Sequence, residues 1–123
     1  MSVFEYSKLY FSESLDDSVA SNTNGILYEN GLYTSFIRFI LLHNYESTTS
    51  TVSLYRVPAG GSVVGVTADI DRFWKGDIES NSTISIEIPT PGIILDTYKD
   101  SIKGKSSPDD SVSILITGAI DSY

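Results

Sequence analysis

Four places in the chain carry residue types that could support chemistry. The first is "STVSLYRVPAGGSVVG", residues 50–65, where an alternating apolar run stops at Pro58 and the pair Gly60 and Gly61 follows. Bare glycine amides can converge on phosphate oxygens, but such a cradle also needs Lys-Ser/Thr after the second glycine and a helix behind it. Here Ser62 is followed by "VVGV", and the dinucleotide-binding spacing fails too. The expected role is structural: Pro58 ends a strand ladder and the glycines supply positive φ for a bend.

The second place is His43, the single histidine. A Ser-His-Asp triad would need it, yet no nucleophile elbow is present. A satisfied or solvated strand-end histidine is expected, and no catalytic residue is assigned. The third is "ADIDRFWKGDIES", which gathers Asp69, Asp71, Asp77 and Glu79. Calcium favours such oxygen-rich segments, but Phe73 and Lys75 stand where an EF-hand loop needs oxygen ligands. Neither a metal nor a cofactor is expected. The fourth is the aromatic set: Trp74, five phenylalanines and eight tyrosines, with Tyr28, Tyr33, Tyr45, Tyr98 and Tyr123 at expected strand ends or loops. Exposed Tyr and Trp serve as sugar-stacking platforms and as protein-interface anchors. Phe73 and Trp74, beside Arg72 and Lys75, are the first expected exposed contact.

The elements that must hold these residues are strands. In "STISIEIPT" Ile84, Ile86 and Ile88 share a face opposite Ser85 and Glu87. In "SVSILITGAIDS" Val112, Ile114 and Ile116 share a face with Gly118 and Ile120. In "STVSLYRV" Val52 and Leu54 oppose Thr51, Ser53 and Tyr55. Period-two alternation marks half-buried antiparallel strands. Strands are expected at residues 3–12, 25–29, 34–43, 50–57, 71–79, 82–88, 93–97, 100–105 and 111–120, with at most one helical turn within 63–75. Turn chemistry separates them, at Asn24-Gly25, Asn30-Gly31, 58–61, 79–81, 89–92 and 106–110. Many short strands at this spacing predict one antiparallel β-sandwich, jelly-roll-like, of about 8–9 strands. The Ser/Asn-rich segment 14–25 is the best loop candidate and is expected to be mobile.

The segment "SFIRFILLHN" departs from simple alternation. Strict period two puts Phe36, Ile40 and Leu42 on one face with Arg38, and Ile37, Phe39 and Leu41 on the other with His43. A strand apolar on both faces needs a second cover, from a loop, the N-terminal strand or another subunit. Arg38, if buried there, needs a carboxylate or carbonyl partner.

Composition bounds the rest. A chain of 123 residues is one domain, 1–123, with enough bulk for a core that needs no staples. It has no cysteine, so disulfides and thiolate metal sites are excluded. "MSVFEYSKLY" has no apolar signal region, and "FIRFILL" is far too short to span a bilayer. The expectation is folding in a reducing cytosol without membrane contact. Eight Lys and Arg against 16 Asp and Glu give a net charge of −8. The nearest basic run, "KDSIKGK", is interrupted by Asp100, so direct nucleic-acid binding is not expected.

The order "TSFIRFILLHN … STVSLYRVPAGGS … NSTISIEIP … GIILDTYKDSIKGKSS … SVSILITGAID" resembles small all-β virion proteins of tailed bacteriophages. The matching residues are Asn44, 58–62, 81–83, Ile94-Leu95, 100–102 and Gly118, within residues 34–121. Tyr98-Lys99 and Asp121 depart from the pattern. The resemblance implies a non-enzymatic virion structural protein, made in the host cytoplasm and carried on the particle. Capsid decoration or cementing is the first specific reading, with the major capsid protein as partner and a homo-oligomer, a trimer by analogy, as the assembly. Neck, tail or fibre association, or a carbohydrate-binding sandwich, are the alternatives. Residues 1–33 fall outside the resemblance and read as an N-terminal arm or added strand plus loop. The interface candidates are Phe4, Tyr6, Tyr10, Phe11, Phe36, Ile40, Phe73 and Trp74.

Overall fold

The computed structural model describes residues 3–12, 15 and 17–122, and for residues 3–12 and 122 the backbone only. Nine strands follow the alternating segments: β1 (Val3–Ser12), β2 (Ile26–Glu29), β3 (Thr34–Asn44), β4 (Ser50–Val57), β5 (Arg72–Ile78), β6 (Thr83–Glu87), β7 (Ile93–Leu95), β8 (Ser101–Ser107) and β9 (Val112–Ser122). One 3-10 turn, Asp69–Asp71, is the helical content among the described residues.

The strands form two antiparallel sheets, β1-β9-β3-β6 with β7 also on β3, and β2-β8-β4-β5. The pairs β1·β9, β2·β8, β3·β6 and β4·β5 make the chain one long hairpin folded about the β4–β5 connection. The hairpin then wraps, so that β9 also pairs β3 and β8 also pairs β4. That wrapping is the double Greek key of a jelly roll. β7 does not add a ninth position. It continues the β6 edge along β3, where Ile37 pairs Ile93 after Phe39 pairs Glu87. Pro89, Pro91 and Gly92 interrupt the edge between them, since proline cannot donate to a ladder.

The two inner faces make one core of Ile37, Ile40, Leu42, Val52, Leu54, Ile78, Leu95, Ile102, Val112, Ile114 and Ile116, each at most 1 % exposed. Burying each such side chain contributes about 1.5–3 kcal/mol. Leu15 and Leu27 close one side of the same cluster. Asn44, wholly buried at the end of β3, ties the sheets together. Its amide donates to the carbonyls of Thr48 (2.7 Å) and Ile78 (2.9 Å), and its oxygen accepts the Glu46 amide (2.9 Å).

Two bulges correct the expected facing. The β3–β9 register shifts between Ile37 and Phe39. Alternation therefore restarts at the half-buried Arg38, and Ile37, Ile40 and Leu42 all turn inward. Ile40 is fully enclosed, so it serves the core and not an interface. Phe36, Phe39, Leu41 and His43 take the outer face instead. Gly118 of β9 lies against this bulge, where a Cβ would collide with the Phe36 carbonyl oxygen. The second bulge lies in β5, where the register with β4 skips Phe73. Phe73 and Trp74 both then pack, half-buried, against the main core. The indole of Trp74 lies over Gly76, whose missing side chain leaves room for the ring.

Candidate interaction surface

The outer face of the five-stranded sheet is apolar near its centre. Phe36, Phe39 and Leu41 of β3, Leu115 of β9 and Ile94 of β7 are all partly exposed there. Cross-strand pairing assembles them, with Leu41 opposite Leu115 and Phe36 opposite Ile94. Around them stand Ser113, Thr117, Thr83, Ser85 and Glu87, paired to His43, Phe39 or Leu41. β1 borders this face. Phe4, Tyr6, Tyr10 and Phe11 lie in it, with Cα partners Asp121, Ala119, Ile116 and Leu115, and their side chains lie outside what the structure describes. Residues 2, 13 and 14 of the expected arm lie outside the described residues as well. The backbone of Val3–Ser12 is not a free arm: it pairs with β9 along its length.

Part of the outer face of the other sheet is covered by its own chain. Val19 packs there with Tyr55 and Val57 in a second small cluster. Between them runs Lys103, wholly buried, its ammonium donating to the carbonyls of Ser21 (2.6 Å) and Gly65 (3.0 Å). Burial pushes the Lys103 pKa below its ordinary value, and nearby Asp71 opposes that shift. One side chain thus clasps two loops, 17–25 and 58–71, onto the sheet. The segment expected to be mobile is anchored here, with Leu15 and Val19 buried and Gly25 accepting the Gly104 amide at 3.0 Å. Nothing in the local sequence marks Lys103 as different from Lys105; only the lid above it does.

At one end of the sandwich the 30–33, 58–61 and 96–100 loops meet on Asp100. Its carboxylate, 3 % exposed as a residue, accepts the amides of Ala59 (2.9 Å) and Thr97 (3.1 Å) and faces Arg56 at 3.5 Å. The Asp100 carbonyl also accepts the Asn30 amide at 2.7 Å. Buried Asn30 bonds Thr97 and accepts from Ser35, which in turn meets the Tyr28 hydroxyl at 2.8 Å. Lys99 pairs with Glu29 at 3.0 Å, and that hydrogen bond raises the Lys99 pKa. The "PAGG" bend belongs to this end. Gly60 donates to Val63 at 2.8 Å, and Gly61 alone of the pair takes positive φ, +75°. An amide that a phosphate cradle would need, that of Ala59, already holds a carboxylate of the same chain.

The remaining sequence candidates separate. His43 Nδ1 lies 2.8 Å from Thr83 Oγ1 across β3 and β6. Asp71 accepts the Ala68 amide and Asp77 accepts the Thr51 hydroxyl, at 2.9 and 2.7 Å. No cluster of His, Asp or Glu among the described residues is arranged to hold a metal. Tyr33, Tyr45 and Tyr98 are exposed, and Tyr45 donates to the Asp110 carbonyl at 2.7 Å. Tyr123 lies outside the described residues. Phe73 and Trp74, expected as the exposed contact, are half-buried and pack against the main core. Sequence reasoning missed the buried Asn30–Ser35–Tyr28 network, which carries no local signal beyond turn chemistry.

No protein-family model and no curated protein sequence matches the chain. Among solved structures it is similar to the coat protein of Tobacco streak virus, at 13 % identity and a TM-score of 0.44, covering 97 % of this chain and 86 % of that one. A structure of that coat protein's dimer matches at 14 % identity and a TM-score of 0.39, covering 99 % and 88 %. The jelly-roll assignment rests on this chain's own strand pairing.

Proposed function

We propose that the protein is a non-enzymatic structural component of a virion, a capsid-decoration protein of a tailed bacteriophage. The observation that carries this reading is the partly exposed apolar outer face of the five-stranded sheet, Phe36, Phe39, Leu41, Leu115 and Ile94. A rigid jelly roll with one apolar sheet face and a polar rim has the anatomy of a protein-docking module. The phage-type sequence pattern supports the same reading. Its matching residues Asn44, Gly61, Asp100 and Gly118 are the positions this fold needs at a sheet tie, a bend, a loop hub and a bulge. Copies bound to a repeating shell, as homo-oligomers, need only modest contacts each, since several sites together multiply effective affinity.

Quantitative mass spectrometry of purified particles tests this. Copies in the hundreds mean the shell; a dozen or fewer mean neck, tail or fibre. Absence from particles overturns the reading. Phe39→Ser with Leu41→Ser should reduce particle occupancy while the isolated protein keeps its β-sheet circular dichroism.

A further inference from the structure

The chain carries a net charge of −8, yet four of its eight basic residues stand on one sheet face. Lys75 and Lys105 flank Ser53 in one cross-strand row; Arg72 and Lys103 flank Tyr55 in the next. Lys103 is occupied by its two carbonyls. Arg72, Lys75 and Lys105 instead line a cavity of about 320 Å³. Its remaining walls are Asp17, Thr51, Ser53, Ser106 and Ser107.

Among the described residues none of these three cations makes an ion pair, although sixteen acidic residues are available in the chain. The hydroxyls divide. Thr51 donates to Asp77 and Ser106 to Leu15 and Pro108, whereas those of Ser53 and Ser107 have no hydrogen-bond partner among the described residues. Three cations and the hydroxyls of Ser53 and Ser107 thus line one hollow, with Asp17 as the one carboxylate in its wall. Three like charges beside one carboxylate leave a net positive wall, and a tetrahedral oxyanion offers both the charge and the acceptors to complement it.

We propose that this cavity binds a phosphate- or sulfate-type oxyanion, free or carried on a saccharide. Lys75 and Lys105 grip it from either side of the Ser53 hydroxyl, and the planar fork of Arg72 supplies paired donors. The site is on the sheet opposite the apolar docking face, so it stands whether or not that face binds a shell.

The test is amide chemical-shift mapping of the full chain with inorganic phosphate and, separately, a sulfated disaccharide. Saturable shifts centred on Ser53, Lys75 and Lys105 are expected, weakened about tenfold or more in Lys75→Gln with Lys105→Gln. Lys99→Gln, away from the cavity, should bind as the parent does. Tighter binding of the disaccharide than of phosphate assigns the carried group; equal or weaker binding assigns the free ion. No saturable shift with either probe at tens of millimolar, or binding unchanged in the double variant, overturns the site.

Discussion

Replacing Lys103 by methionine tests whether the lid over the second sheet is held by one ammonium. The side chain is fully enclosed and gives two hydrogen bonds, to the carbonyls of Ser21 and Gly65. Bonds from a charged donor contribute about 1.5–3 kcal/mol each, so Lys103→Met removes about 3–6 kcal/mol. Against this, methionine has no charge to desolvate, and burying an ion costs several kcal/mol. The net expectation is a loss of about 1–3 kcal/mol, since two loop carbonyls are left without a donor. Urea titration should show a lower midpoint with an unchanged slope. Hydrogen exchange should quicken in residues 19–24 and 64–67 before the strands respond.

The pH dependence gives a second reading of the same variant. Burial lowers the Lys103 pKa in the folded state. Between that lowered pKa and the ordinary 10.5, the unfolded chain binds more protons, so stability from this group rises with pH. The methionine variant lacks that contribution, and its deficit should widen as pH rises through the window. Lys99, whose pKa is raised, works in the opposite direction but is common to both proteins. A variant as stable as the parent, with unchanged loop exchange and no widening deficit, would refute the clasp.

Three other substitutions probe the frame. Asn44→Ala strands the Thr48 and Ile78 carbonyls and the Glu46 amide, and should cost about 2–4 kcal/mol in a denaturant titration. Gly118→Ala drives a Cβ into the Phe36 carbonyl at the β3 bulge; a loss of about 3 kcal/mol or more is expected, with amide shifts concentrated on residues 36–39. Trp74→Ala should lower stability by about 2–4 kcal/mol, because the half-buried indole packs on the core, and should leave binding on a glycan array at the parent's level.

β1 also bears on how the docking reading should be tested. Deletion of residues 2–14 is not a clean removal of an arm, because β1 pairs with β9 along its length. Its loss would bare the β9 edge, and an open strand edge invites pairing with other chains. Point substitutions on Phe39 and Leu41 avoid that confusion.

Much of the frame was legible along the chain. Each expected strand overlaps an observed one, because a half-buried strand must alternate apolar and polar side chains whatever its neighbours are. The bends at Asn24-Gly25 and 58–61 were legible for the same reason: positive φ at Gly25 and Gly61 is a local demand. What alternation could not supply was which face a residue takes past a bulge. One extra residue near Arg38 put Phe36 and Ile40 on opposite faces, and one in β5 let Phe73 and Trp74 both pack, half-buried, on the core. Bulges arise from pairing between distant strands, so no window of local sequence contains them. The fates of Lys103 and Lys105 were decided in the same way. Two lysines on one strand face look alike in sequence; the loops that fold over one and leave the other beside an open cavity come from elsewhere in the chain. The sequence by itself determined the strands and their bends, because those follow from neighbours along the chain. Tertiary structure alone decided which apolar face stays open and which cations stay unpaired, because those depend on register and cover between distant segments.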